Sequence, residues 1–213
     1  MTLIVGTITR RGVVLAADRL TITSSKSSGQ SFVIGDDSAQ KILVCKNLLL
    51  AYFGYGQFNG QDAHVILQHL LQENYHDSPT ETLTAIRHLL PPAPEGKSLG
   101  LAIAGYPDGR PRIAVWDSRF DQREVIGPRA IFLGTIHDPL AIYEQYPPML
   151  KMYDLQTAVD YSVFMIELMH QLKRFTQNEL NTVGLAVTVG VVDANGARLI
   201  EGYEPKPRPQ LSL

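Results

Sequence analysis

The order of periodic segments constrains this chain most: apolar runs folded back in pairs, two helical stripes, more paired runs, two further helices and a last strand pair. Leu3 to Ile8 is a first apolar run, Arg10-Arg11-Gly12 a turn, and Val13 to Ala17 a second run that ends at Asp18-Arg19. Ser24 to Ser31 is polar and Gly/Ser-rich, which predicts a loop or a flexible hairpin tip. Lys41 to Cys45 and Leu48 to Phe53 flank Lys46-Asn47 as a hairpin, and Gly54 and Gly56 close the block. Ala63, Ile66, Leu67, Leu70 and Leu71 then repeat with the spacing of one buried helical stripe. Ser78-Pro79-Thr80-Glu81 supplies a cap, a proline in the first turn and a capping-box acid for a second helix, which Pro91-Pro92 stops.

Strands return in the middle. Leu99 to Ala104 and Arg112 to Trp116 bracket the turn Tyr106 to Gly109, and Val125-Ile126 and Ala130 to Leu133 continue the pattern. Asp138-Pro139 opens a short helix to about Tyr146, and Asp154 caps a long one to about Phe175. Leu185 to Val192 and Ala197 to Glu201 enclose Asn195-Gly196, a strong hairpin signal. Strands in adjacent hairpins do not suit a doubly wound α/β fold, which alternates strand with helix. They suit an α+β chain: two antiparallel sheets stacked face to face with helices outside, a four-layer αββα sandwich. Nothing suggests a linker or an internal repeat, so residues 1–213 read as one domain with an irregular, proline-rich tail from about Pro205.

Composition narrows the function. Of 213 residues 45% are apolar and 19% charged, the balance of a globular chain rather than a disordered one. A net charge of -2 provides no basic field for a polyanion, which argues against nucleic acid as a partner. The single Cys45 rules out an internal disulfide framework and reads as a small buried hydrophobe. No segment has the roughly 18 uninterrupted apolar residues of a membrane helix, and the N-terminus lacks the pattern of a secretory signal. A cytoplasmic protein without a membrane partner is the expectation. His64 and His69, five apart, do not share a helical face, and Gly54-Tyr55-Gly56 lacks the spacing of a nucleotide loop, so neither metal nor organic cofactor is expected.

Thr2-Leu3-Ile4-Val5-Gly6, Gly12 to Arg19, Lys41-Ile42 and Gly54, followed by Leu101 to Tyr106, resemble a proteasome β-subunit and its bacterial HslV-like relatives. The likeness spans most of the chain and is most specific in the first 55 residues. It implies the N-terminal nucleophile (Ntn) hydrolase fold and a threonine-type peptidase. Methionine before threonine is expected to be trimmed, which would give Thr2 a hydroxyl nucleophile and a free amine on one residue. That amine, with an ordinary pKa of about 7.7 to 8, can serve as the base, so no Ser-His-Asp set is required.

The resemblance further implies that Lys41 sits beside the Thr2 hydroxyl and favours its alkoxide, while Asp18 holds Lys41 charged and oriented. Gly54 would offer a backbone N–H to the oxyanion and let substrate approach. Thr135, after Gly134, is the best match to a hydroxyl that completes the family's site. Three features depart from the family. The segment between Asp18 and Lys41 is longer, with its excess at Ser24 to Asp37. Leu20 stands where an arginine is common, the arginine being Arg19. The late Asp-x-x-Ser-Gly pattern is absent, leaving Asn178 or Glu179 as alternative replacements for its acid. Leu20, the Ser24 to Asp37 segment and Tyr52 are expected near the substrate.

The implied partners are an unfolded polypeptide or peptide as substrate, further copies of the chain in a homo-oligomeric, self-compartmentalised ring, and an ATP-dependent unfoldase as a possible feeder. Two rivals stand beside the peptidase: a catalytically silent assembly subunit, and a small-molecule amidase of the Ntn class. Amidases of that class more often present serine or cysteine, so Thr2 with Lys41 leans away from them.

Overall fold

In the computed structural model, residues 2–27, 30–36, 38–54, 56–58, 60–92, 98–134, 137–175, 183–200 and 203 are described. Strands β1 (Leu3–Ile8) and β2 (Gly12–Asp18) lead into β3 (Thr21–Ser27) and β4 (Gln30–Asp36), then β5 (Ile42–Cys45) and β6 (Leu48–Gly54). After the two-residue strands β7 (Gln57–Phe58) and β8 (Gln61–Asp62) come helices α1 (Ala63–Glu73) and α2 (Pro79–Leu89). Strands β9 (Leu99–Gly105), β10 (Arg112–Asp117), β11 (Phe120–Ile126) and β12 (Arg129–Gly134) follow. Helices α3 (His137–Gln145) and α4 (Leu155–Phe175) and the hairpin β13 (Val187–Asp193) and β14 (Gly196–Ile200) complete the order.

The described residues therefore form a mixed α+β protein with four α-helices and two antiparallel sheets of five strands, ordered β12-β1-β2-β13-β14 and β11-β10-β9-β6-β5. Strand alternation sorts the side chains. Ile4, Ile8, Val13 and Leu15 of the first sheet meet Ile42, Leu49, Ala104 and Ile113 of the second in one buried cluster. The intervening residues Leu3, Val5, Val14 and Ala16 pack instead with Ala158, Val159, Val163 and Ile166 of α4. Leu48, Leu50, Leu101 and Ile103 of the second sheet pack with Leu67 and Leu71 of α1 and Leu83 and Ile86 of α2. This packing is compatible with the sandwich that the element order predicts. Truncating Leu15, which is fully buried, to alanine would cost about 2 to 5 kcal/mol.

The helix signals act where the sequence put them. Ser78 caps α2 by accepting the Glu81 N–H, with Pro79 in the first turn, and Asp154 accepts the Thr157 N–H ahead of α4. A buried hydroxyl pair ties α4 to β1: Ser162 donates to the Ala158 carbonyl, so the Thr7 hydroxyl is the donor in its 2.7 Å contact with Ser162.

Of the two readings of the Ser24 to Ser31 region, loop or hairpin tip, the second describes it. β3 and β4 pair from Thr21↔Asp36 to Ser27↔Gln30, and the region is the far end of that hairpin, with residues 28 and 29 outside the described ones. Thr21, Ile22, Thr23, Phe32, Val33 and Ile34 favour extended backbone strongly enough to carry the serines between them. No described helix is long and apolar enough to cross a membrane.

Candidate active site

Asp18 is the last residue of β2, the central strand of the first sheet, and it stands where both neighbouring ladders run out. The β1–β2 pairing stops at Ile4↔Ala17, and the next donor, the Leu3 N–H, goes to Asp18 Oδ1 at 2.8 Å. On the opposite side the β13–β2 pairing stops at Val187↔Asp18, and the Gly184 N–H reaches Asp18 Oδ2 at 3.1 Å. The Leu20 N–H adds a third contact at 3.3 Å. One carboxylate thus satisfies backbone donors from three segments that would otherwise be stranded at a buried sheet end.

Lys41 lies one residue before β5, in the second sheet, and crosses to the first. Its Nζ is 3.4 Å from Asp18 Oδ2 and donates to the Leu20 carbonyl at 2.6 Å. Asp18 is fully buried and Lys41 is 5% exposed, so the charge pair lies out of water. Burial pushes the Asp18 carboxyl above its ordinary value; the nearby Lys41 charge and the Gly184 and Leu3 N–H groups oppose that shift.

Thr2, itself buried, directly precedes the Leu3 N–H that Asp18 holds. Gly134 closes β12 opposite Leu3 with φ of 86°, and a Cβ there would lie 1.9 Å from the Thr2 carbonyl oxygen. Only glycine permits that approach. Thr2, Asp18, Lys41 and Gly134 therefore belong to one end of the paired sheets.

The other expected residues divide. Gly54 ends β6 with φ of 101°, and a Cβ there would meet the Ser98 carbonyl at 1.9 Å. The fold thus requires glycine at this position for its own backbone, whatever approaches from outside. Arg19 is half-buried; its N–H donates to the Ala186 carbonyl and its guanidinium to the Ser38 carbonyl at 3.1 Å. Among the described residues its buried Nε has no acceptor. Tyr52 is buried, and its hydroxyl donates to the Gln40 carbonyl at 3.2 Å, next to Lys41. Thr135, Asn178, Glu179 and Met1 lie outside the described residues.

Two contributors, Gly184 and His170, were not singled out from the sequence, and Leu20, expected near the substrate, contributes through its backbone carbonyl. The Leu20 carbonyl and the Gly184 N–H act through the backbone, which leaves no residue signature. His170 of α4 lies 2.7 Å from the Val183 carbonyl through Nδ1. A carbonyl only accepts, so Nδ1 carries the proton, and this bond anchors the segment that presents Gly184 to Asp18. The late glycine was visible in the sequence; its purpose was not. Among the described residues no group of His, Cys, Asp and Glu is placed to hold a metal ion.

Against known proteins, no family model matches the chain. No curated protein matches it either.

Proposed function

We propose that the chain is an N-terminal threonine hydrolase of the Ntn class that cleaves peptide bonds, with an αββα sandwich as its scaffold and Met1 removed. The observation that carries this reading is the buried Asp18–Lys41 pair, fastened through the Leu3 N–H to the residue after Thr2. A lysine desolvated beside the first residues of a strand serves a nucleophile there better than it serves stability, because removing both charges from water offsets much of their attraction.

Alternation along β1 assigns Thr2 to the side of Ile4, the side facing the second sheet, from which Lys41 comes. In the proposed reaction the Thr2 Oγ attacks the scissile carbonyl while the Thr2 amine takes its proton, directly or through one water. The Lys41 ammonium stabilises the negative charge that develops on the attacking oxygen. The tetrahedral intermediate collapses with loss of the amine product, which receives that proton, and leaves an ester on Thr2. Water, deprotonated by the same amine, then cleaves the ester and restores the hydroxyl. Asp18 stays ionised throughout and holds Lys41 in place.

A catalytically silent assembly subunit is the second reading, and one observation favours it. Asp18 satisfies three backbone donors, so it would staple the sheet end whether or not Thr2 reacts. Intact mass of the protein from its native host, followed by treatment with a peptide epoxyketone, separates the two. The peptidase predicts a chain lacking Met1 and one adduct that Thr2→Ala abolishes. Retained Met1, or peptide cleavage unchanged in Thr2→Ala, rejects it.

A further inference from the structure

The far end of β1 carries charge of another kind. Six strand residues, about 20 Å of extended chain, separate it from Thr2. There the β1–β2 turn, the ends of the β10–β11 hairpin and the β11–β12 turn line a half-open cavity of about 420 Å³. Arg10, Arg110 and Arg112 line it, and among the described residues Glu124 is the single carboxylate in its lining. Glu124 is already engaged: it lies 3.7 Å from Arg112 and accepts the Thr80 hydroxyl at 2.7 Å. Among the described residues, neither Arg10 nor Arg110 has a carboxylate partner. Guanidinium groups do not discharge at accessible pH, so the cavity keeps an excess of two positive charges.

We propose that this cavity binds a small organic phosphomonoester with an apolar body of about aryl size. The charge excess matches a phosphate, which carries about 1.5 to 2 negative charges at neutral pH. Arginine forks bind phosphate oxygens in pairs, with geometry that a lysine cannot supply. A bare phosphate would leave most of the volume empty. Pro111 and Ile126, the latter 61% exposed, offer an apolar wall for the remainder. The volume lies within the range of about 300 to 1,000 Å³ usual for small-molecule sites. The inference is independent of any chemistry at Thr2.

The test is calorimetric titration of the full chain with phenyl phosphate in low-salt, phosphate-free buffer. Saturable binding is expected, weakened at least about tenfold in Arg10→Ala/Arg110→Ala, since charge-assisted hydrogen bonds are lost. Arg87→Ala, in a second arginine-lined cavity whose Arg119 is held by Asp117, should change nothing. Phenyl glucoside, without the charge, should not bind, and inorganic phosphate should bind more weakly than phenyl phosphate. No saturable binding, or equal affinity in the double variant, overturns the site. Equal affinity for inorganic and phenyl phosphate overturns its apolar half, and weakening by Arg87→Ala moves the binding elsewhere and overturns it too.

Discussion

Asp18 and Asp193 stand at opposite ends of one antiparallel ladder, opposite Val187 and Gly12 respectively. Each is paired with a cation, yet their carboxyls are displaced in opposite directions. Asp18 is fully buried and its partner Lys41 has a side chain 6% exposed, so desolvation outweighs the pairing and pushes the carboxyl up. Asp193 bonds Arg198 at 2.9 Å, but that arginine is half in water, so the hydrogen bond dominates and holds Asp193 below its ordinary range. The lesson concerns purpose. A pair like Asp193–Arg198 is what a hairpin acquires at little expense, whereas a pair sealed like Asp18–Lys41 needs several segments built around it.

The largest effect should come from emptying the sealed end. Asp18→Ala strands Lys41 and three backbone donors, and should lower unfolding stability by about 3 to 5 kcal/mol in denaturant titration. A loss below about 1 kcal/mol would mean the two ends are alike. Close packing gives the next contrast. Gly134→Ala adds a Cβ 1.9 Å from the Thr2 carbonyl and should cost about 3 kcal/mol or more, by the same titration. Gly127, with φ of 76° but nothing within 4 Å of its would-be Cβ, carries only the backbone strain of about 1 kcal/mol. Equal losses at the two glycines would remove the claim that the Thr2 end is the tighter.

The smallest effect is the acid response. The folded Asp193 carboxyl lies below its ordinary value of 3.8, so its contribution is present above about pH 4 and fades as the pH falls through the folded value. The stability difference between wild type and Asp193→Asn, under about 1 kcal/mol, should therefore shrink below pH 4. For Asp18, raised by burial, the sign reverses. Its contribution is greatest below 3.8 and declines as the pH rises through the folded value, so the difference from Asp18→Asn should slope the opposite way. Parallel slopes would contradict the contrast between the two environments.

Much of this was legible in the sequence because it depends on periodicity and capping. The stripes of α1 and α2, the Ser78 and Asp154 caps and the Asn195-Gly196 turn are local signals, and the structure places each as expected. For the Ser24 to Ser31 region the sequence left loop and hairpin tip open, because serine and glycine content masks the strand preference of its flanks, and the structure shows the end of a hairpin. At the candidate site, Thr2, Asp18 and Lys41 were singled out by the resemblance to proteasome β-subunits; as polar residues at the margins of apolar runs they would read only as strand ends. The Gly184 N–H, 166 residues from its acceptor, did not, since a backbone donor is the same in every residue and only the folded chain brings it to Asp18. His170 was hidden likewise: its target is a carbonyl, and nothing in a helical stripe marks which histidine will reach one.

The most direct test maps the epoxyketone adduct by tandem mass spectrometry in wild type and in Lys41→Met, with circular dichroism to show that the variant is folded. A two-point adduct on the amine and hydroxyl of Thr2 in the wild type, absent from a folded Lys41→Met, is the predicted result. No adduct on a chain that has lost Met1, or equal labelling of the two proteins, would contradict the assignment of the buried Asp18–Lys41 pair to Thr2 chemistry.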